Sequence, residues 1–330
     1  MKAVFASFLA LPVALSLVAC VQQDDSPKDL AKALPTPDQV AIKLPDTQRL
    51  TDSRTSAVTA TSPHVLGQIA PWYVATRDVS RTFNGGSAFV LGLVHAIVQF
   101  PVTSVDGNVF TWGPWSDGAL APAEYKLDVE AVGDGTYKYQ LSGRSKVGTA
   151  AGGDFQVVID GSADPRNGDA KGTGSFSIDF DASKRINPTD NSDAKGSVRA
   201  NYDLAHKHLD LTLASTDAAG APVTGDYAYD EAADGGGQMV FALSGNAGGG
   251  PANETISLRS RWESDGAGRA DARIAGGDLG GLSATASECW DDHFLQVFYI
   301  DAISNGGTLS ASEGQEAACA IADADLPDAP

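Results

Sequence analysis

Cysteine and positive charge are scarce in this sequence, and long apolar runs are confined to its start. The chain has 330 residues with three cysteines, and 23 lysines and arginines stand against 42 aspartates and glutamates, for a formal net charge of −19. Nucleic-acid binding requires clustered Lys and Arg to neutralise phosphates. The composition therefore argues against nucleic-acid partners, and equally against charge-driven binding to anionic lipid headgroups. After the first 19 residues no apolar run approaches the roughly 18 residues that a spanning helix needs, so none is predicted there.

The familiar catalytic motifs are also missing. The sequence has no Gly-x-Ser-x-Gly elbow, no His-Glu-x-x-His, no P-loop and no Gly-x-Gly-x-x-Gly. Ser192-Asp193-Ala194-Lys195 fits the pattern Ser-x-x-Lys, but it lies in an Asn- and Asp-rich stretch that predicts a loop, and no Lys-Thr-Gly strand accompanies it. We therefore predict no enzyme and no cofactor, and keep a hydrolase or metal-dependent enzyme as the weaker alternative.

The first twenty residues form a secretion signal by pattern. Lys2 precedes an apolar stretch over residues 4–19, which is the length of a signal h-region. The following Leu17-Val18-Ala19-Cys20 resembles the lipobox of bacterial lipoproteins. The resemblance implies that residues 1–19 are removed and that Cys20 becomes an acylated first residue, inserted in the membrane. The alternative is an ordinary signal peptide with a chance cysteine.

The resemblance also implies a location. In the best-studied sorting rule of lipoproteins, Asp after the cysteine retains the protein in the inner membrane, whereas Val21 follows here. We therefore expect a cell-envelope protein anchored in the outer membrane, facing the periplasm or the exterior.

Composition divides the rest of the chain in two. Residues 20–65 are rich in Pro, Ser, Thr and Asp, which predicts a flexible tether. Residues 66–325 are predicted to form a single antiparallel β domain that begins with a helix. Pro71 suits a first helical position, and residues 87–99 are apolar on nearly every side, as in a buried helix. A buried strand is the alternative for that stretch.

Period-two alternation begins at Tyr125 and predicts about ten strands, with Asp134-Gly135 as a hairpin turn. One face is apolar and the other polar, and so wide a sheet must curl or split. The predicted fold is therefore mainly β with a minor α part: a curved antiparallel meander, like a half-barrel, wrapped on the N-terminal apolar helix. In outline this resembles the periplasmic lipoprotein carriers, on architecture alone.

Two sets of residues stand out in this domain. Since exported proteins usually pair their cysteines, Cys289 and Cys319 are predicted to form a disulfide. Six aromatic residues share the inward parity, and either pack the core or line a groove for an apolar ligand: Tyr137, Tyr139, Tyr202, Tyr227, Tyr229 and Trp262.

Several polar groups are weaker candidates. His206 and His208 have the strand spacing that places two imidazoles on one face, with Asp203 or Asp210 as a third ligand, but exposed turn residues explain them better. Asp291, Asp292 and His293 have no spacing that indicates a mechanism. The Asp-rich loops do not match a calcium-binding ladder, and Trp112 and Trp115 are predicted to plug the core from a tight loop. No metal site is predicted.

The sequence thus predicts a non-enzymatic, lipid-anchored envelope protein of structural or interaction type. Its expected partners are the membrane, through acylated Cys20, and an envelope protein. A carrier that binds a lipid or other hydrophobic ligand between sheet and helix is the alternative.

Overall fold

The computed structural model describes residues 64–80, 94, 97–98, 100–116, 118–148, 151–168, 171–189, 194–217, 220–245, 250–303 and 311–322. They belong to two compact units. The first contains the described residues of Gly85–Ala205, and the second contains those of Ile42–Asn84 and His206–Pro330. The prediction of one domain over 66–325 stays a prediction, as do the signal peptide and the tether, which lie almost wholly outside the described residues.

The described part of the chain contains fifteen strands. Seven lie in the first unit: β1 (Ser104–Asp106), β2 (Val109–Trp115), β3 (Ala123–Gly133), β4 (Thr136–Ser145), β5 (Gln156–Asp164), β6 (Thr173–Asp179) and β7 (Ser197–Asp203). Eight lie in the second: β8 (His208–Thr216), β9 (Pro222–Glu231), β10 (Gly237–Gly245), β11 (Glu254–Trp262), β12 (Gly268–Gly276), β13 (Ser283–Trp290), β14 (Gln296–Ile303) and β15 (Ala311–Gly314).

Within each unit every strand pairs antiparallel with the next one along the chain. The predicted mainly β, antiparallel meander is thus confirmed. The predicted hairpin at Asp134-Gly135 is confirmed as well. Both residues have positive φ, 51° and 76°, and they connect β3 to β4 as a two-residue turn of the kind that matches strand twist.

Among the described residues two α-helices accompany the strands, apart from the separate helical positions at 94, 97 and 98. The first, α1, covers residues 71–80 in the second unit, and Pro71 occupies its first position. The second, α2 (Phe180–Ile186), follows β6 directly, and Asp179 caps it by accepting a hydrogen bond from the Ala182 N–H at 2.7 Å. The alternation of Phe176, Ile178 and Phe180 with polar residues predicts a strand that includes Phe180. That prediction is wrong for Phe180, because the Asp179 cap diverts the chain into a helix.

The predicted apolar helix over 87–99 lies mostly outside the described residues. Its three described positions, Val94, Ile97 and Val98, are helical, and Val94 is fully buried. The prediction that Trp112 and Trp115 lie in a tight loop was wrong. Both are in β2, where Trp112 pairs with Leu127 and its indole N–H donates to the Phe100 carbonyl at 2.8 Å.

Many of the large aromatic side chains lie across a glycine on the neighbouring strand. Five pairs in register combine an aromatic residue with a glycine: Tyr125–Gly143, Tyr139–Gly161, Tyr202–Gly174, Trp262–Gly237 and Trp290–Gly268. A Cβ at any of these glycines would overlap the paired ring. Glycine therefore provides the space in which a ring lies flat over the sheet, an arrangement that stabilises otherwise weak strand glycines.

Tyr139 shows how far such a ring reaches. It crosses Gly161 on β5, and its hydroxyl donates to the Ser175 carbonyl on β6 at 3.1 Å. Burial, aided by the nearby Tyr202 and Asp160, raises the pKa of Tyr139 well above its ordinary value. The phenol therefore stays a neutral donor and links three strands of the first unit.

Helix α1 lies on one face of the second unit. The Thr76 hydroxyl donates to the Ser260 hydroxyl of β11 at 2.8 Å, and the Ser80 hydroxyl lies 3.7 Å from the Met239 sulfur of β10. Tyr73 stacks on Phe294 with ring centroids 4.3 Å apart. The small, hydroxyl-bearing side chains let the helix approach the strands closely while the Thr76 and Ser80 hydroxyls stay paired.

We expect Gly161→Ala to lower the free energy of unfolding by about 1–3 kcal/mol, the usual cost of inserting a methyl group into a packed site. The added carbon overlaps the Tyr139 ring and the Ser175 carbonyl. Urea denaturation followed by circular dichroism measures the loss. Gly281→Ala is the matched control, since a methyl group there meets open space. Equal stability of the two variants would contradict the packing role of Gly161.

Candidate functional site

The candidate site is centred on two adjacent residues of β13, Glu288 and Cys289. Neighbouring residues of a strand point to opposite faces of the sheet, and both residues are fully buried. Glu288 holds the segment that precedes and begins α1, whereas Cys289 holds the C-terminal segment. One strand therefore fixes both ends of the described second unit.

The Glu288 carboxylate receives two hydrogen bonds. The Trp72 backbone N–H donates to Oε2 at 2.6 Å, and His64 Nδ1 lies 2.9 Å from Oε1. Trp72 is the second residue of α1, where the backbone N–H groups have no partner inside the helix and the helix dipole favours a negative charge. The buried carboxylate therefore lies at the start of a helix, where a backbone N–H group and the helix dipole favour its negative charge.

A ring of β14 completes the contacts of His64. Tyr299 pairs with Glu288 in the β13–β14 register, and the imidazole stacks on its phenol ring at 3.6 Å, with 9° between the planes. The Tyr299 hydroxyl donates to Asp301 at 3.1 Å. Partial burial and the neighbouring Asp301 and Glu288 raise the pKa of Tyr299. His64 is therefore held between a neutral ring and a carboxylate, with 16% of its side chain exposed.

The backbone before α1 is attached to the same strands. The Gly67 N–H donates to the Gln296 carbonyl at 2.9 Å, the Gln296 N–H donates to the Gln68 carbonyl at 2.8 Å, and Ile69 forms an isolated bridge with Leu295. This segment pairs with the first residues of β14, and β15 pairs with residues farther along the same strand. We call residues 64–72 the entry segment.

The state of Glu288 depends on its burial. Desolvation raises its pKa, and the hydrogen bonds from His64 and the Trp72 N–H oppose that shift without cancelling it. The carboxylate–imidazole pair resembles the orienter and base of a hydrolytic site, which also requires a nucleophile within hydrogen-bonding reach of the base. What the described residues show is an attachment: the hydrogen bonds of Glu288 join the entry segment to β13.

On the opposite face, Cys289 forms a disulfide with Cys319, with 5.5 Å between the Cα atoms. The predicted pairing of these two cysteines is confirmed. Cys319 follows a short 3₁₀ helix, Glu316–Ala318, in the chain after β15. The C-terminal segment is therefore bound covalently at the residue next to Glu288.

The six aromatic residues of the predicted groove are all buried, and three belong to each unit. Tyr139, Tyr202 and Trp262 lie over glycines, as described above. Tyr227 pairs with Phe241 and Tyr229 with Met239 in the β9–β10 register. Whether any of them contacts a ligand stays a prediction, and Cys20 lies outside the described residues.

The histidine pair is divided between a turn and a strand. His206 lies in the turn before β8 and is exposed, whereas His208 begins β8. His208 Nδ1 lies 2.6 Å from Asp230 and Nε2 lies 2.9 Å from Asp210. Burial alone would lower the pKa of His208, but these hydrogen bonds outweigh it and the pKa is raised. Both ring nitrogens are engaged by carboxylates, which favours a protonated imidazole over a metal ligand, and Asp203 accepts the Ala205 N–H instead.

Asp291, Asp292 and His293 form the turn between β13 and β14. Their potential ligand atoms lie within 4.8 Å of one another. The Asp291 carboxylate accepts the backbone N–H groups of His293 and Leu295, and Asp292 contacts the His293 ring at 2.7 Å. These hydrogen bonds stabilise the turn, and the turn explains why the three side chains lie close together.

The chain matches no family model, no curated protein and no solved structure. None of the helices in the described ranges is long and apolar enough to cross a membrane.

Glu288 and His64 were not predicted as site residues from the sequence, and most of β13 was not predicted as a strand. One signal was present: Ala284, Ala286, Glu288 and Trp290 alternate with residues of the other face, so a glutamate occupies an otherwise apolar row. Its partners lie more than 200 positions earlier in the chain. No local pattern indicates such a pairing.

We expect Glu288→Gln to change the pH dependence of folding. Because the folded-state pKa of Glu288 is raised above its ordinary value of 4.5, this carboxyl contributes stability that is complete below about pH 4.5 and is lost as the pH rises through the folded-state pKa. The free energy of unfolding of the variant, relative to that of the wild type, should therefore increase as the pH is raised from about 4.5. Urea titrations at constant ionic strength measure this difference.

His64→Gln is the companion variant. His64 lowers the pKa of Glu288, so its removal should shift the pH-dependent window upward. If the free energies of unfolding of the wild type and of Glu288→Gln changed in parallel with pH, Glu288 would not titrate as proposed.

The double substitution Cys289→Ala and Cys319→Ala removes the disulfide and should lower the free energy of unfolding by roughly 3–4 kcal/mol. This is the chain-entropy value for a loop closed by two cysteines that are 30 positions apart. The midpoint of urea denaturation measures the cost. Denaturation of the wild type with and without a reductant is the control, since both comparisons open the same loop. A midpoint that neither change moves would contradict a stabilising role.

Proposed function

We propose that this protein is a lipid-anchored protein of the bacterial cell envelope, of structural or interaction type and without enzymatic activity. The observation that carries the proposal is the Cys289–Cys319 disulfide. Disulfides persist mainly in oxidising compartments outside the cytosol. Since these two cysteines bond to each other, Cys20 is the remaining cysteine of the sequence. It stands in the lipobox-like Leu17-Val18-Ala19-Cys20, where an acyl chain would be attached.

The contacts of the entry segment support the proposed division of the chain into a tether and a folded part. In this proposal residues 20–63 are a tether, with a root-mean-square reach of roughly 35–40 Å if they behave as a flexible coil. The tether would end at His64, where Glu288 and the first residues of β14 hold the chain. Tension on the tether would therefore act on the sheet and on the start of α1, and not on an unattached end.

The predicted curvature of the sheet belongs to the same proposal. The apolar helix over 87–99, on which the sheet is predicted to wrap, lies mostly outside the described residues. For the second unit we propose a sheet that curves around α1, supported by the contacts of Trp72, Thr76 and Ser80 with β13, β11 and β10. An outer-membrane location rests on Val21 after the cysteine. The expected partner is an envelope protein. The carrier and enzyme alternatives have no specific observation in their favour among the described residues.

The anchor is tested by Cys20→Ser in a bacterial host supplied with an alkyne-bearing fatty acid. We expect the wild type to carry the label and to sediment with membranes, and the variant to carry none and to appear in the soluble envelope fraction. Cys319→Ser is the matched control, because it removes a cysteine and leaves the lipobox intact. Labelling of Cys20→Ser, or a wild type that is soluble and unlabelled, would overturn the proposal.

A further inference from the structure

The sheet face that carries the disulfide also carries a buried cluster of charges. Arg261 of β11 and Arg269 of β12 are partners in the register, and both contact Asp271. The Arg269 Nε–H donates to Asp271 Oδ1 at 2.9 Å, and Arg261 Nη2 lies 3.3 Å from Oδ2. The Ser287 hydroxyl also donates to Asp271, at 2.7 Å. One buried carboxylate is thus shared by two guanidinium groups.

Two guanidinium groups and one carboxylate form the part of this cluster that lies on the strands. Only 2% of the Arg269 side chain and 4% of the Asp271 side chain are exposed. A buried cation is costly unless it is paired with well-placed acceptors, and each guanidinium group carries five N–H donors, more than one shared carboxylate can accept. The planar guanidinium groups present donors in a geometry that suits carboxylates.

The C-terminal segment supplies acceptors to this cluster. Glu316 accepts a hydrogen bond from Arg269 Nη1 at 2.9 Å, and the Ala322 carbonyl accepts one from Arg261 Nη2 at 2.8 Å. Between them Cys319 is bonded to Cys289, the register partner of Arg269 on β13. Residues 316–322 therefore extend over β11, β12 and β13 as a bound peptide would.

The non-covalent attachment of this segment is slight. Most of residues 315–322 are exposed, including 56% of the Glu316 side chain. The Arg269–Glu316 pair joins a buried guanidinium group to a mostly exposed carboxylate, so water screens the pair in part. The disulfide strengthens this attachment, because a covalent link keeps the segment at a high effective concentration beside the arginines.

We propose that Arg261 and Arg269 line a binding groove for an acidic peptide segment of a partner protein. In the closed protein, residues 316–322 occupy this groove. The Cys289–Cys319 bond holds them there and acts as a latch. The partner would present a carboxylate where Glu316 lies. The groove belongs to the folded second unit and does not depend on the lipid anchor. A failed Cys20 experiment would leave it intact, and the reverse also holds.

Opening the latch is an ordinary thiol–disulfide exchange. A dithiol reductant gives up two electrons and two protons, the Cys289–Cys319 bond breaks, each cysteine becomes a thiol, and the reductant is released as a disulfide. The occupant can then leave the arginines.

The test measures binding of a fluorescein-labelled peptide with the sequence of residues 313–330 and Ser in place of Cys319. The proteins are the disulfide-closed wild type and the variant with Cys289→Ala and Cys319→Ala. By fluorescence anisotropy at low salt we expect the open variant to bind at least tenfold more tightly than the closed protein. Binding should weaken as salt is added, and Arg261→Gln in the open variant should weaken it severalfold. A peptide with Gln and Asn at its acidic positions should not bind.

A second measurement uses the otherwise native chain, so that it does not depend on the folding of the open variant. Glu316→Gln removes the carboxylate from Arg269, and the rate at which dithiothreitol opens the disulfide should rise severalfold. Hydrogen exchange over residues 315–322 should increase once the wild type is reduced. The groove is refuted if the folded open variant binds the acidic and neutral peptides equally or binds neither. The latch is refuted if exchange over 315–322 is the same before and after reduction.

Discussion

The second unit depends on the fact that adjacent residues of a strand face opposite ways. Glu288 and Cys289 use this geometry to hold the entry segment on one face of β13 and the C-terminal segment on the other. One attachment is electrostatic and buried, and the other is covalent. A change in the register of β13 would exchange the two faces and break both attachments at once, so this strand has the least freedom to shift.

Elsewhere the packing on the strands depends on the volumes of the paired side chains. Rings and glycines alternate between neighbouring strands in both units, so that a Tyr or Trp covers the backbone of its glycine partner. This packing places large apolar area on the sheet without requiring a thick second layer. Two of these rings also bond to backbone carbonyls: the Tyr139 hydroxyl donates to Ser175, and the Trp290 indole N–H donates to Gly266.

Local pattern predicted most of the strands and little of the site. Alternation from Tyr125 onward revealed the meander, and Asp134-Gly135 marked its first long hairpin, because both signals lie within a few residues. A content of 36 glycines predicts many turns, yet Gly161, Gly174 and Gly268 lie in strands, where the ring of the paired residue explains them. The contacts of Glu288 with His64 and Trp72 join distant parts of the chain, and no spacing in the sequence encodes them.

The opposite placement of the two attachments also determines where the chain leaves the second unit. The entry segment approaches the face of the sheet that carries α1, whereas Ala322 lies on the face that carries Arg261. A protein domain inserted directly after Ala322 would therefore begin on the side away from the entry segment. Such an insertion would leave the proposed tether unobstructed.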